Sequence, residues 1–286
     1  MPVHKWIKEA IDEKKIHFSR IVVAIVSFIA IFPFLWMILL SFKTDTQIMN
    51  SPFSLPEAWN FDNYRRALNV LKLPTMYKNT IILVFTTQII GLTITFLSSY
   101  CLARMEFKSE KLQKNLYVFL LIGLIIPSYL LLFPLYRIIV ALKIQNTYLS
   151  LIMPLTGMAI SFNTLIFVGF LRGFPSEIEE AAIMDGCGLF NLCTRVVLPI
   201  MKPAFATLIV FNVIYVWNEY PLSATLINDS RKMTISIGAS LFKGSYGTDY
   251  SGMISAAVLI IVPQLIFYVL LQKNIIEGMT AGAVKG

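Results

Sequence analysis

The chain has 286 residues, a formal net charge of +8, and 57% hydrophobic against 14% charged residues. A soluble domain carries about 25% charge, so a water-soluble globular fold is excluded and lipid is the expected solvent; the mean hydropathy of +0.71 agrees. The Lys and Arg residues are scattered rather than gathered into a stripe, which sets aside a nucleic-acid surface, and three cysteines (Cys101, Cys187, Cys193) with two distant histidines (His4, His17) give neither a disulfide framework nor a metal-ligand spacing.

Residues 1–20 come first. His4–Ser19 carries Trp6, Ile7, Ala10 and Ile11 at helical spacing among lysines and acids, the pattern of a cytoplasmic amphipathic helix lying on the membrane surface, or of a solvated tail. The segment is too charged for a signal peptide, and the apolar run after it is too long and lacks a small-residue cleavage site, so the first span is expected to be retained.

A membrane helix needs about 20 apolar residues without charge. The first such interval is Ile21–Phe42, and the span 21–42 is followed by an outer loop, 43–78. Asn79–Ala103, Asn115–Tyr136 and Ile144–Leu171 come next. Pro203–Asn218 is interrupted by Glu219 and continues apolar to Ile227; Tyr250–Gln272 is the last. The predicted fold is therefore an all-α membrane protein with about six transmembrane helices. Pro33, Pro127, Pro154, Pro221 and Pro263 fall inside these intervals. Lipid-buried prolines are tolerated where neighbours satisfy the freed carbonyls, so kinks or plain packing both fit.

With both termini cytoplasmic, the inner segments hold more than half of the 24 Lys and Arg residues. That is a modest positive-inside bias, and Arg20 with the N-terminal basic residues is its best witness. The outer loops are then 43–78, 137–143 and 228–249, and the inner loops 104–114 and 172–202.

The second inner loop has the most local design. Ser176 with Glu179 three residues on reads as a capping box, and Glu177, Glu179 and Glu180 suit a helix N-terminus. Ala181 and Ala182 leave a smooth surface, and Asp185-Gly186 stops the helix with a left-handed turn. Pro199 and Pro203 bracket the start of the fifth span.

Glu180-Ala181-Ala182, then Gly186, then Val196 and Leu198-Pro199 resembles the EAA loop of ABC importer permeases, with valine where the family usually has isoleucine. Asn63-Tyr64, Asn146-Thr147-Tyr148, Trp217-Asn218-Glu219-Tyr220 and Gly247-Thr248-Asp249-Tyr250 are similar to stretches of the carbohydrate members, and the tail Gly278–Gly286 resembles that of the maltose-type permease. The resemblance implies a type-1 ABC importer transmembrane core over 75–272, with the EAA loop 172–202 inside it and a cytoplasmic tail, 273–286. It implies a permease subunit of an ATP-driven sugar or oligosaccharide importer, localised to the inner (cytoplasmic) membrane.

The implied partners are a second homologous permease, two ATPase subunits and an extracytoplasmic sugar-binding protein that meets the loop 228–249. Glu180, Ala181, Ala182, Asp185, Gly186, Leu198 and Pro199 would couple to the ATPase, and Thr280, Gly282 and Lys285 would reach it from the tail. ATP and Mg would sit in the partner ATPase, with no cofactor in this chain. In agreement, no G-x-x-x-x-G-K-[ST] loop is present and the chain is not read as an enzyme.

Asn163, Asn212, Trp217, Asn218 and Glu219, with Tyr215 and Gln88, are candidates for the translocation pathway; helix packing is the competing role for each. Glu219 is ionisable near one end of a span, and so serves either as an anchor or in the pathway. An importer of a non-sugar solute is the nearest alternative. An ion-coupled secondary transporter usually holds paired charges or broken helices at midplane, whereas these spans are nearly charge-free, and an intramembrane enzyme would need motifs such as H-E-x-x-H or G-x-S-x-G that are absent.

Overall fold

The computed structural model describes residues 3–244 and 247–283, with side chains over 18–244 and 247–270. The elements in chain order are α1 (Val3–Leu40), α2 (Asp45–Asn50), α3 (Asp62–Val70), α4 (Leu73–Arg104), α5 (Glu110–Leu121), α6 (Leu132–Ala141), α7 (Leu149–Gly173), α8 (Glu177–Met184), α9 (Leu189–Asn191), α10 (Leu198–Ile200), α11 (Lys202–Trp217), α12 (Pro221–Leu226) and α13 (Tyr250–Ala283). Among the described residues no β-strand forms. Among the described residues, four helical stretches are long and apolar enough to cross a membrane: Phe18–Leu40, Leu73–Arg104, Leu149–Gly173 and Tyr250–Leu270. Two bent pairs raise the number to six if each is one span.

The bent pairs depart from the sequence reading. Asn115–Tyr136 is not one straight helix. Glu110–Leu124 and Ser128–Ala141 meet at 93°. Pro127 supplies no N–H, and the residue before a proline is pushed out of the helical region, so Ile126-Pro127 cannot continue the helical ladder. The second pair, Leu189–Ile200 and Lys202–Trp217, bends by 74°, and a π-helical turn, Leu192–Val197, precedes the bend. Pro154 lies within α7 without ending it. The fifth span closes at Trp217, and Pro221 then opens the short α12 as a pre-set first residue. Residues 3–20 run into the first span as one helix.

The chain divides into two compact units, Met1–Val70 with Ala239–Leu259, and Leu71–Gly238 with Ile260–Gly286. The first unit is organised by polar anchors. Lys43 is fully buried, and its Nζ donates to Ser51 O at 2.8 Å, Pro52 O at 3.2 Å and Ser54 Oγ at 3.1 Å. All three ammonium protons are thus used, which is how a buried cation is tolerated without a carboxylate. Asn63 is buried and donates to Ser41 O and Lys43 O, both at 2.8 Å, while the Tyr64 hydroxyl meets Ser41 Oγ at 2.6 Å. The Asn63-Tyr64 pair therefore fixes the turn that follows α1.

The second unit is built on α4 packed along α7, with α11 against both. One apolar cluster joins Leu83, Ile139, Leu155, Val213 and Leu226. The other joins Phe96, Tyr100, Phe167, Leu192, Val197 and Leu208. In the latter, Phe167 meets Phe205 at 4.7 Å and Phe96 at 5.7 Å between ring centroids, contacts worth about 0.5–1.5 kcal/mol each beyond burial.

The connection after α12 is pinned by the Asn146-Thr147-Tyr148 stretch. Asn146 takes a left-handed φ of 59°. Its Oδ1 accepts from Asn228 N at 2.5 Å and Asp229 N at 3.1 Å. Asn79 donates to Arg231 O and Met233 O and accepts from the Tyr148 hydroxyl at 2.7 Å.

Candidate functional site

Two places in the second unit concentrate polar chemistry in an otherwise apolar protein. The first is the corner around α8. Its C-terminal stop is a Schellman turn: Gly186 N donates to Ile183 O at 2.9 Å and Cys187 N to Ala182 O at 3.0 Å. Gly186 has φ +82°, a conformation that costs an L side chain, yet a Cβ there would meet nothing within 4 Å. Glycine is therefore required by the backbone and not by crowding.

The N-terminal end differs from the expected capping box. Ser176 has helical φ and ψ and makes no side-chain cap hydrogen bond; its Oγ donates instead to Glu180 Oε1 at 3.0 Å. Glu179 turns inward. Its Oε1 lies 2.7 Å from Arg104 Nε, and its Oε2 accepts from the Tyr100 hydroxyl at 2.8 Å. Arg104 also donates to Phe174 O at 2.7 Å and lies over the Phe174 ring at 5.2 Å. The Arg104 and Glu179 side chains are only 14% and 7% exposed. A charge so buried gains more from its partner than from the weak field of a helix end, and this is why the cap is forgone.

Of the predicted coupling residues, Glu180, Ala181, Ala182, Asp185 and Gly186 lie at this corner, and Leu198 and Pro199 follow in α10, beyond the π-helical turn. Glu180, Ala181, Asp185 and Gly186 are exposed, Ala182 is half-buried, and Leu198 and Pro199 are exposed in α10. Ile178, Ile183 and Met184 are exposed too, Met184 at 82%. Tyr100, Arg104 and the inward turn of Glu179 were missed in the sequence. No local pattern signals it, because both partners of Glu179 lie on another helix and far away in the chain. Lys285 lies outside the described residues, and of Thr280 and Gly282 only the helical backbone is described.

The second place is a cavity of about 800 Å³ at the α5–α6 bend. It is lined by Gly123–Pro127, Ser128, Phe162, Asn212 and Tyr215. Irregular backbone at membrane depth is tolerated where protein buries it or where it lines a watery cavity. A Cβ at Gly123 would collide with Ser161 Oγ, so the bend sits hard against α7. A smaller hollow of about 100 Å³ adjoins it through Ser128, Met158 and Tyr215 and is lined by Tyr129 and Glu219.

The structure separates the predicted pathway residues. Asn212 lines the larger cavity and donates to Asn163 Oδ1 at 3.0 Å. Asn163 is fully buried. Glu219 lines the smaller hollow; its Oε1 accepts from Leu222 N at 2.7 Å, and its carbonyl from Ser236 Oγ at 2.7 Å. Trp217 and Gln88 belong elsewhere, lining an apolar cavity of about 960 Å³ among α4, α11 and α13. Asn218 bonds its own helix through Ile214 O at 2.8 Å. Ser128 and Tyr129 were missed because they acquire their place only through the bend.

Among the described residues, four uninterrupted and two bent apolar stretches, with a glycine-closed corner between the fourth and fifth, define a polytopic helical membrane protein. Residues 99–280 match the family described as binding-protein-dependent transport system inner membrane component. The chain belongs to that family, and is one of its multi-pass membrane permeases. It is similar to the diacetylchitobiose uptake system permease NgcG of Streptomyces coelicolor, 30% identical over 276 residues, covering 96% of this chain and 90% of that one. The trehalose/maltose transport system permease MalG of Thermococcus litoralis is 30% identical over 265 residues, covering 92% and 94%. A chain of a bacterial ABC transporter involved in the import of the acidic polysaccharide alginate has the same fold, with a TM-score of 0.70 at 21% identity over 92% of this chain and 96% of that one. The fold is that of a type-1 ABC importer transmembrane domain.

Proposed function

We propose that this chain is the permease subunit of an ATP-driven importer of a sugar or oligosaccharide. It forms half of the pathway with a second, homologous permease. Relatives named for diacetylchitobiose and trehalose/maltose uptake support the solute class. α8 lies on the cytoplasmic side and is held by a separate ATPase subunit, which binds ATP and Mg. The observation that carries this reading is the corner itself. A helix closed by Gly186 at φ +82° leaves Ile178, Ile183 and Met184 exposed together with Ala181. Exposed apolar side chains on a non-spanning helix need a partner surface. Nucleotide closure of the ATPase pair then favours one arrangement of the spans through this contact, a population shift. The loop after α12 faces the extracytoplasmic sugar-binding protein.

The solute passes the cavity at the α5–α6 bend. Sugars present many hydroxyl donors and flat apolar ring faces. Asn212 and Tyr215 offer an acceptor and an aromatic face there, and Glu219 and Tyr129 offer the same in the adjoining smaller hollow. Asn163 serves to hold Asn212. Uptake of labelled oligosaccharides by proteoliposomes carrying the whole importer tests both parts. Uptake should require a hydrolysis-competent ATPase and survive ionophores. Glu219→Gln keeps the acceptor for Leu222 N, so it should insert normally and lower uptake roughly tenfold, the loss of one charge-assisted hydrogen bond. Uptake that ionophores abolish and ATP does not drive would refute the reading in favour of ion coupling.

A further inference from the structure

We propose that Glu179 is the positioning residue that locks α8 to α4, so that displacement of α8 moves the end of that membrane helix. The inference rests on the reading of α8 as the ATPase contact. Three acids occupy the first turn of α8, yet Glu177 and Glu180 are exposed and Glu179 is 5% exposed. Both of its carboxylate oxygens are taken by α4, one by Tyr100 and one by Arg104, which are one helical turn apart. Two attachment points on one rigid helix fix an orientation as well as a distance. Arg104 then closes the figure by donating to Phe174 O, at the junction of α7 and α8. The α7–α8 junction, Gly173-Phe174-Pro175, would otherwise let α8 swing as a hinge.

Apolar packing also joins α8 to its surroundings, through Ala182 and Cys187. Such contacts are non-directional and do not by themselves fix an orientation. A buried ion pair is weak evidence for stability, and the best-attested use of buried polar groups is to fix register. Its low exposure also keeps the link from being screened by salt. Glu180, the acid of the EAA pattern, has its side chain on Ser176 and is free to meet the partner. The two adjacent glutamates thus divide the work: Glu180 faces outward and Glu179 holds inward.

The test uses the assembled importer in nanodiscs, this chain with its partner permease and its ATPase subunits. Hydrogen exchange is followed at α8 and at residues 99–104, with and without a non-hydrolysable ATP analogue. In the native complex the analogue should change exchange at both places. In Glu179→Gln the change at α8 should persist, and the change at 99–104 should fall at least fivefold. Tyr100→Phe removes only the hydroxyl and leaves the ring in its cluster; it should give a partial loss at 99–104, and it decides the matter if Glu179→Gln fails to assemble. An unchanged response at 99–104 in these variants overturns the proposal, as does a native complex in which α8 responds and 99–104 does not. A native complex in which α8 itself is silent counts instead against the ATPase-contact reading.

Discussion

Replacing Gly186 isolates the backbone at the α8 corner from every other influence. The residue has φ +82°, and a Cβ would meet nothing within 4 Å, so no steric clash contributes. An L residue held in that conformation costs about 1–2 kcal/mol, and a β-branched one more. If the turn yields instead, the bonds from Gly186 N to Ile183 O and from Cys187 N to Ala182 O are lost, each worth about 1 kcal/mol net. By either route Gly186→Val disfavours the native corner by about 2–3 kcal/mol, a population change of about 30- to 150-fold. Asparagine visits the left-handed region readily, so Gly186→Asn should cost well under half of that. ATP-driven uptake at matched membrane levels should therefore rank Gly, Asn, Ala, Val, while insertion stays constant. A valine variant as active as glycine, or asparagine no better than valine, would refute the reasoning.

Two further perturbations probe the anchors. Asn146 combines φ 59° with a side chain that accepts two N–H groups, so Asn146→Ala loses both bonds and keeps the strain, while Asn146→Gly loses only the bonds. The glycine variant should be the milder by about 1 kcal/mol, read as slower proteolytic nicking within 228–233; equal nicking would contradict it. Lys43→Met removes the hydrogen bonds to Ser51 O, Pro52 O and Ser54 Oγ; Ser51 O keeps Ser54 N and Ser54 Oγ, and Pro52 and Ser54 are exposed, so the cost is the net worth of the lost bonds, about 1 kcal/mol each. The melting temperature of the detergent-solubilised chain should fall by several degrees, and an unchanged value would show that the cage is not needed.

Most of the membrane architecture was legible because lipid demands long charge-free runs, and charges such as Arg20, Lys78 and Arg104 mark where they stop. Hydropathy reports affinity for lipid, not the path of the backbone. Asn115–Tyr136 therefore read as one span although Ile126-Pro127 turns it by 93°. Pro154 sits within a helix that continues, so proline alone does not announce a bend. The Gly186 turn was readable from residue type because only backbone chemistry decides it. Glu179 was misread as a cap for the opposite reason: its preference is set by Arg104, 75 residues away in the chain, and no local pattern carries that. The pathway candidates divided for the same cause. Asn212 and Glu219 reach hollows that the bend creates, whereas Trp217 packs against Tyr77 at 6.0 Å on another side of α11.

The most direct measurement of the central claim places a photo-reactive residue at Met184, 82% exposed at the end of α8, in the fully assembled importer. The account predicts cross-links to the ATPase subunit whose yield changes with nucleotide. Cross-links to lipid alone, or to the sugar-binding protein from the opposite side of the membrane, would contradict it.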